Sequence, residues 1–207
     1  RAGARWSLER LRDLPLWTCA SIWLCVMTGS YALVYWLPQL VRQLAPGEGE
    51  FLIGTLSALP QAGLAAGLLV NAWHSDRTGE RVWHVAAGAL AGGLALIVAA
   101  MFTTGMSTLV LLVIAGFGVG AAQGVFWTLP AAFGIGRGKP PVEAIALISM
   151  FGTAGGIIGP YILGALVERS GNFVSGIVTL ATLLLVAAVV LAAARRRVHW
   201  RGKDAGA

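Results

Sequence analysis

Six long apolar runs constrain this chain more than any other feature of its sequence. They cover about residues 15–37, 51–72, 85–102, 108–133, 142–167 and 173–194. The hydrocarbon core of a bilayer, about 30 Å thick, is crossed by about 20 helical residues. A backbone surrounded by lipid must satisfy its hydrogen bonds internally, as a helix does. The sequence therefore predicts an all-α integral membrane protein with six transmembrane helices.

Composition supports this class and argues against nucleic-acid binding. Hydrophobic residues make up 57% of the chain and charged residues only 12%, a balance that soluble domains rarely show. The formal net charge is +6, but the basic residues lie in the loops and tails between apolar runs. That distribution is typical of residues that set membrane topology. The lipid bilayer is therefore the expected surrounding, and no nucleic-acid partner is expected.

The distribution of Lys and Arg predicts the orientation. With six spans both ends lie on one side, and that side holds thirteen of the fifteen basic residues, while Arg42 and Arg169 lie on the other. Since basic loops stay in the cytoplasm, both termini are expected to be cytoplasmic. The expected organisation is a basic lead-in (1–14), a six-helix bundle (15–194) and a polybasic tail (195–207). The chain opens with Arg1, and we expect it to be a segment of a longer protein.

The stretch 71–84, N-A-W-H-S-D-R-T-G-E-R-V-W-H, gathers charge and turn residues between the second and third runs. It is expected to form a tight polar loop, in which the functional residues are Asp76, Arg77, Gly79 and Arg81. At the end of the first run, Pro38 is expected to interrupt the helix, because proline removes a backbone hydrogen bond.

Four segments together resemble a known family of transporters. They are S-D-R-T-G-E-R-V-W-H at 75–84, Y-W-L-P at 35–38, F-W-T-L-P at 126–130, and the glycine-rich fifth run at 144–164. From about Arg10 to Ala194 the chain resembles the C-terminal half of an anion:cation symporter, a branch of the major facilitator superfamily. One departure is Ala72, which stands where the family loop usually begins with Gly.

The resemblance implies a fold of twelve helices, in which two six-helix bundles rock around a central site. Each bundle contains two inverted three-helix repeats, and this chain would form one bundle. Its expected partners are an N-terminal six-helix half of the same transporter, a small organic anion, and a coupling proton or sodium ion. The expected location is the bacterial inner membrane. The alternative is a truncated membrane module that only binds or stabilises a partner.

The residues expected to line a substrate cavity are polar or amphipathic side chains at mid-span. They are Tyr31, Tyr35, Gln123, Trp127, Thr128, Ser149 and Thr153. Gln61 and Asn71 are weaker candidates. The alternative role for all of them is ordinary hydrogen bonding between helices. Because no charged residue lies at this depth, and burying an unpaired anion costs several kcal/mol, the N-terminal half is expected to supply the cationic partner.

Two further groups of residues are expected to act in conformational change. Asp76, with Arg77, Gly79 and Arg81, would form a latch by accepting hydrogen bonds from the start of the fifth helix, just after Pro140 and Pro141. Alternatively, Asp76 caps the third helix and holds a turn beside Arg77 and Arg81, and the arginines only set topology. In the fifth span Pro160 would allow bending beside Gly155, Gly156 and Gly159, although glycine ladders also serve plain helix packing.

Membrane-embedded catalysis is not expected, because the spans lack acidic pairs, a Ser–His pair and an H-E-x-x-H motif. We therefore expect no enzyme activity and no cofactor. His74, His84 and His199 all fall in the expected cytoplasmic segments. Because they lie outside the expected spans, none of them is expected to act as a membrane-embedded proton relay or to form a helix-face metal site.

Overall fold

The computed structural model describes residues 13–102, 105–135 and 142–203, and their side chains as far as residue 195. Within these ranges every regular element is an α-helix. The elements are α1 (Leu14–Leu44), α2 (Glu50–Thr78), α3 (Val82–Met101), α4 (Met106–Phe126), α5 (Leu129–Ala132), α6 (Val142–Ser170) and α7 (Val174–Lys203). All except the four-residue α5 are long and apolar enough to cross a membrane, which confirms the six predicted spans.

The first helix does not stop at Pro38, so the expected interruption is wrong. α1 continues through the proline to Leu44. A proline removes a single backbone hydrogen bond, and membrane helices tolerate this loss where neighbouring turns remain packed. Here Leu37, Leu40 and Val41 on the adjacent turns are buried, which holds the end of α1 in place.

The polar stretch 71–84 is mostly helical, so the expected loop over the whole stretch is also wrong. α2 extends to Thr78, and only residues 79–81 separate it from α3. Gly79 has a φ of 70°, a left-handed conformation that favours glycine. Its N–H donates to the carbonyl of Ser75 at 3.0 Å, which closes the last turn of α2. The charged residues therefore lie on a helix end and a short turn.

The ends of two other spans also differ from the sequence-based boundaries. α4 ends at Phe126, and the predicted remainder of that span folds into the separate short helix α5, which contains Pro130. α7 continues past residue 194 to Lys203, so most of the predicted tail is helical. The lead-in residues 1–12 lie outside the described residues.

The helices pack as two interlocking repeats. The first repeat is α1, α2 and α3, and the second is α4, α6 and α7. The second helix of each repeat packs mainly on the first helix of the other, α2 on α4 and α6 on α1. The third helix of each repeat also contacts the first helix of the other, and α3 and α7 pack together. The same kinds of contact are found when the helices of the first repeat are exchanged with those of the second. Because each repeat crosses the membrane three times, the second repeat begins on the opposite side and is inverted relative to the first.

Glycines allow α2 and α4 to approach at backbone distance. A Cβ atom added to Gly63 on α2 would lie 2.5 Å from the carbonyl oxygen of Val113 on α4. A Cβ atom added to Gly124 on α4 would lie 2.6 Å from the carbonyl oxygen of Leu68 on α2. Small residues at such contacts are the usual means by which membrane helices pack closely. Side chains at these positions would force α2 and α4 apart.

The bundle has two ends, which we name after charged residues. The Asp76 end contains the α2–α3 turn, the starts of α1 and α6, and the last turns of α4. At this end Trp17 of α1 packs on Phe151 of α6, with ring centroids 5.5 Å apart. The Arg42 end contains the α1–α2 connection, where Arg42 Nη2 lies 2.6 Å from Glu50 Oε2.

Candidate functional site

The charged turn at the Asp76 end is held by interactions within itself. Arg81 Nη1 lies 2.5 Å from Asp76 Oδ1 and 3.1 Å from the hydroxyl oxygen of Ser75. The guanidinium of Arg77 lies 3.9 Å from the ring centroid of Trp73. All four predicted latch residues therefore lie within one helix end and its turn. Pro140 and Pro141, beside the expected partner amides of Asp76, lie outside the described residues.

The acidic residue that accepts a backbone N–H at the start of α3 is Glu80, so the expected alternative that Asp76 caps this helix is wrong. The other part of that alternative, that Asp76 holds the turn, agrees with its ion pair with Arg81. Glu80 Oε2 accepts the backbone N–H of Trp83 at 2.7 Å, in the first turn of α3. The backbone carbonyl of Glu80 accepts the hydroxyl of Ser75 at 2.7 Å. Because a carboxylate near a helix N-terminus is favourable, Glu80 fixes the start of α3. The Asp76 carboxylate pairs with Arg81 instead.

Asn71 joins three helices next to this turn. Its amide nitrogen donates to the carbonyl of Ala121 on α4 at 2.7 Å and to the carbonyl of His84 on α3 at 3.1 Å. This side chain, a weak cavity candidate from sequence, therefore makes the interhelical hydrogen bonds that were its alternative role.

The two tyrosines predicted to line the cavity have different surroundings on α1. Tyr31 is partly buried against α6, where a Cβ atom added to Gly156 would lie 3.1 Å from its ring. Tyr35, one turn further along, is 64% exposed. Tyr31, a predicted cavity residue, thus packs against the predicted gating helix α6. The ring of Tyr35 is accessible to a neighbour outside this bundle.

The predicted residues Gln123, Trp127 and Thr128, in the last turn of α4 and just beyond it, lie beside an aromatic cluster that includes a residue missed by sequence reasoning. Trp23 of α1 stacks on Phe126 with ring centroids 4.2 Å apart, and Trp127 packs edge-on against Trp23 at 5.1 Å. Trp23 precedes Tyr31 by two helical turns, and that spacing could have placed it on the same stripe of α1. The cluster joins α1 to α4 near the Asp76 end.

Gln123 has a buried polar group with no partner among the described residues. Its Nε2 atom is inaccessible to solvent and forms no hydrogen bond in this part of the chain. Gln123 precedes Trp127 by one turn of α4. Buried amide groups in proteins are nearly always hydrogen-bonded, so this donor is available to a bound molecule or water.

Two of the predicted hydroxyl groups are satisfied within their own segment. Thr128 donates to the carbonyl of Val125 at 2.7 Å, and Thr153 donates to the carbonyl of Ser149 at 3.0 Å. Such back-bonding uses the hydroxyl proton and leaves the oxygen as an acceptor. Ser149 is half-buried one turn before Thr153, which is exposed.

The predicted gating helix, α6, is continuous through Pro160 and packs closely on α1. A Cβ atom added to Gly155 would lie 2.9 Å from the backbone nitrogen of Thr28, and Gly159 faces the same residue. The indole nitrogen of Trp36 donates to the carbonyl of Pro160 at 3.1 Å. Sequence reasoning missed Trp36, because a hydrogen bond spanning 124 residues has no local signature.

Between α1, α2 and α4 lies a small cleft that is open to the surface and mostly apolar. Ser30 and Gln61 are its polar lining residues, and Gly116 and Val119 form its α4 side. On α4 the next residue of the same stripe is Gln123, one turn beyond Val119. The cleft therefore continues the line of predicted cavity residues towards the Arg42 end.

Charge is confined to the ends of the bundle in the part of the chain that the structure describes. Every acidic or basic residue in the ranges 13–102, 105–135 and 142–195 lies in a turn or near the end of a span. No group of three or more potential metal ligands occurs in these ranges. Between their ends, the described spans therefore offer aromatic rings and neutral hydrogen-bonding groups.

Comparisons with known proteins agree with this architecture. The profile of the Major Facilitator Superfamily matches residues 3–134, more than half of the chain. A relative from Agrobacterium vitis that is named for tartrate transport is 30% identical over 183 residues, covering 88% of this chain and 41% of that protein. A quinolone resistance transporter of Acinetobacter baumannii is 31% identical over 178 residues, covering 86% of this chain and 40% of the relative.

A solved structure shares the fold. The Escherichia coli fucose:proton symporter superposes with a TM-score of 0.75 at 16% sequence identity, covering 89% of this chain and 44% of that protein. The chain thus spans about two fifths of the length of the proteins that it matches. Its six spans in two inverted repeats match half of such a transporter. The chain belongs to the Major Facilitator Superfamily.

Proposed function

We propose that this chain is one half of a secondary active transporter that moves a small organic anion by symport with protons or sodium. The observation that carries the proposal is a set of uncharged groups on the described spans and at their ends, namely the exposed ring of Tyr35, the exposed indole of Trp127 and the buried amide nitrogen of Gln123, which has no partner among the described residues. These groups would provide shape and neutral hydrogen bonds for a ligand whose charge is balanced by residues of an N-terminal bundle.

The relatives favour a carboxylate as the substrate. Tartrate, for which the Agrobacterium vitis relative is named, is a dicarboxylate with hydroxyl groups. Amide and hydroxyl groups, such as those of Gln123 and Ser149, are suited to hydroxyl and carboxylate oxygens. The fucose:proton symporter, which shares the fold, supports coupling to protons. We therefore propose a hydroxylated or aromatic carboxylate, moved together with a proton.

The two halves of the transporter would divide the binding of this anion. Burying a carboxylate without a cation costs several kcal/mol, more than a few neutral hydrogen bonds return. Because the described spans hold no charge at mid-depth, an N-terminal bundle would supply the Arg or Lys and the proton-carrying acid. The six-helix bundle of this chain would supply aromatic walls and neutral hydrogen bonds.

Alternating access would use the two groups of residues predicted for conformational change. α6 lacks one backbone hydrogen bond at Pro160, so it can bend beside Gly155, Gly156 and Gly159. The turn containing Asp76, Arg77, Gly79 and Arg81 would hold one facing state through contacts at the Asp76 end. That end would be cytoplasmic in a bacterial inner membrane, because basic residues favour the cytoplasm.

The decisive experiment expresses residues 1–207 with and without an N-terminal six-helix half of a close relative. We expect the co-expressed halves to take up a radiolabelled dicarboxylate into vesicles under an imposed proton gradient, and residues 1–207 alone to show no uptake. Saturable uptake by residues 1–207 alone would contradict the division of binding. Uptake of only neutral or cationic solutes by the co-expressed halves would exclude an organic anion as the substrate.

If the co-expressed halves assemble but transport nothing across a panel of acids, sugars and amines, the chain would instead be a non-transporting membrane module. Assembly is checked by affinity purification of one half through a tag on the other.

A further inference from the structure

The helices α1 and α6 pack along each other, and each contains one proline. Pro38 lies in α1 and Pro160 lies in α6. Because proline has no backbone N–H, each helix lacks one hydrogen bond at this point. The turns of α1 beside Pro38 are buried, and 50% of the most apolar stretch of α1 is buried inside the bundle, against 33% for α6. α6 is therefore the helix of the pair that has more freedom to bend.

Trp36 contacts the part of α6 that lies beyond its proline, towards the Arg42 end. The indole nitrogen donates to the carbonyl oxygen of Pro160 at 3.1 Å. A Cβ atom added to Gly164, one turn further along, would lie 2.9 Å from the indole ring. The ring of Phe173, next to the start of α7, lies edge-on to the indole with centroids 5.8 Å apart. One side chain of α1 thus holds both this part of α6 and its connection to α7.

The part of α6 before Pro160 contacts α1 in a different way. Phe151 meets the ring of Trp17 edge-on at 5.5 Å, and a Cβ atom added to Gly155 would lie 2.9 Å from the backbone nitrogen of Thr28. These are packing contacts, along which helices can slide by small amounts. A hydrogen bond has a preferred distance and angle. The bond from Trp36 therefore resists a displacement that the packing contacts allow.

Bending at Pro160 displaces one of the two parts of α6 relative to α1. Displacing the part beyond Pro160 would break the bond from Trp36 and leave the indole N–H without an acceptor, which is unfavourable away from water. Displacing residues 142–156 leaves that bond intact. The movement of residues 142–156, which begin at the Asp76 end, is therefore the less costly one.

We propose that Trp36 is a positioning residue, which fixes the part of α6 beyond Pro160 to α1, so that bending of α6 moves residues 142–156. This proposal rests on the proposed function, in which α6 bends during alternating access. It assigns the movement to the Asp76 end, where the latch turn lies. The part of α6 at the Arg42 end stays in place on α1.

An isostere of tryptophan removes this hydrogen bond alone. In 3-benzothienylalanine a sulfur atom replaces the indole N–H, and the ring keeps its size and shape. At position 36 of the 207-residue chain, in lipid nanodiscs, it preserves the packing on Gly164 and Phe173. The matched control carries the same isostere at position 83, where the ring of Trp83 faces Arg195.

Distances between pairs of spin labels measure how firmly each part of α6 is held, in a chain with Cys19 and Cys25 replaced by Ala. The first pair, Gln39→Cys with Arg169→Cys, reports on the part beyond Pro160. The second pair, Leu14→Cys with Val142→Cys, reports on the part before it, and all four positions are exposed. With Trp36 in place, we expect the first pair to show the narrower distribution of distances.

The isostere at position 36 should loosen only the first pair. The population outside its main distance should rise about fivefold, as the loss of one hydrogen bond predicts, and the second pair should not change. The isostere at position 83 should change neither pair. In the co-expressed halves, the isostere at position 36 should lower the maximal rate of uptake by up to about fivefold with KM unchanged.

A broader distribution for the first pair than for the second, with Trp36 in place, would overturn the proposal. An isostere at position 36 that leaves the first pair unchanged, or that broadens both pairs equally, would also overturn it. The comparison with Trp36 in place needs no isostere, so misfolding of that variant would not leave the question open. The distances do not depend on transport, so a lack of uptake by every form would count against the proposed function alone.

Discussion

At the scale of single residues, the polar side chains of the spans differ in where their hydrogen bonds go. Thr55, Thr153 and Thr182 donate to a carbonyl four residues earlier in the same helix. Asn71 and Trp36 donate across to other helices and so hold the bundle together. The buried amide nitrogen of Gln123 does neither among the described residues. This difference separates structural polar residues from one that is available to a ligand.

Replacing Gln123 with Met should therefore change stability and transport in opposite directions. The substitution keeps the volume but removes a buried donor whose desolvation costs about 1–3 kcal/mol. We expect the melting temperature of the bundle to rise by a few degrees, and the KM for the anion to increase. Gln39→Met, at an exposed position, should change neither quantity. A lower melting temperature in Gln123→Met would show that the amide has a structural partner.

Asp76 can be compared with a matched ion pair at the other end of the bundle. Asp76 and Glu50 are both largely exposed, and they pair with Arg81 and Arg42 at 2.5 Å and 2.6 Å. Since exposed pairs contribute about 0–1 kcal/mol, neither Asp76→Asn nor Glu50→Gln should affect folding. We expect Asp76→Asn to slow turnover by up to about fivefold without changing substrate binding, and Glu50→Gln to leave turnover unchanged. Equal effects on turnover would contradict a latch at Asp76.

At the scale of helices, the number and order of the spans could be predicted from sequence, because apolar length and loop charge are local properties. Whether a helix continues through a proline or ends before it could not be predicted from sequence. Pro38 and Pro130 both lie near the end of an apolar run, yet α1 continues through Pro38, whereas α4 ends before Pro130. The outcome depends on which turns are buried by other helices. The same holds for Trp36, whose partner at Pro160 is distant in the chain.

The close contact of α2 with α4 is testable with two glycines of the same helix. A Cβ atom at Gly63 would press on the backbone of Val113, whereas nothing lies within 4 Å of one at Gly54. Gly63→Ala should lower the stability of the bundle by about 1–3 kcal/mol through overpacking. Gly54→Ala should raise it by about 0.5–1 kcal/mol through helix propensity. Thermal unfolding in nanodiscs measures both, and equal shifts would contradict the close approach.

The role of Pro160 is testable against Pro38. Alanine at either position restores a backbone donor in a continuous helix, and we expect each substitution to stabilise the bundle by about 1–3 kcal/mol. Only Pro160→Ala should also slow transport, because α6 would lose its point of bending. Initial rates of uptake and melting temperatures distinguish the two effects. A transport rate equal to that of the unaltered protein in Pro160→Ala would argue against gating by this helix.

At the scale of the whole molecule, the two inverted repeats place the charged α2–α3 turn and the start of α6 at the same end. Sequence reasoning could anticipate this arrangement through the family resemblance, but not the contacts of α2 with α4 and α6 with α1. Those contacts depend on which glycines face which helix, and a single sequence contains no information on such pairing.

The proposed orientation can be measured with single cysteines at the two ends. Thr78 lies at the Asp76 end and Glu48 at the Arg42 end, and both are exposed. In a chain with Cys19 and Cys25 replaced by Ala, a membrane-impermeant thiol reagent added to intact spheroplasts should label Glu48→Cys and spare Thr78→Cys. Inside-out vesicles should give the reverse pattern. Labelling of Thr78→Cys from outside would invert the proposed topology.

The interlocked packing of the repeats has a consequence for biogenesis. α2 has its main contact with α4 and α1 with α6, so neither helix finds its partner in the half of the bundle that is synthesised first. As the chain leaves the ribosome, α1, α2 and α3 therefore enter the membrane before the helices of the second repeat that pack against them. Assembly can be completed only after α6 and α7 have been inserted. Ribosome stalling after α3 should accordingly trap a protease-sensitive, insertase-bound intermediate.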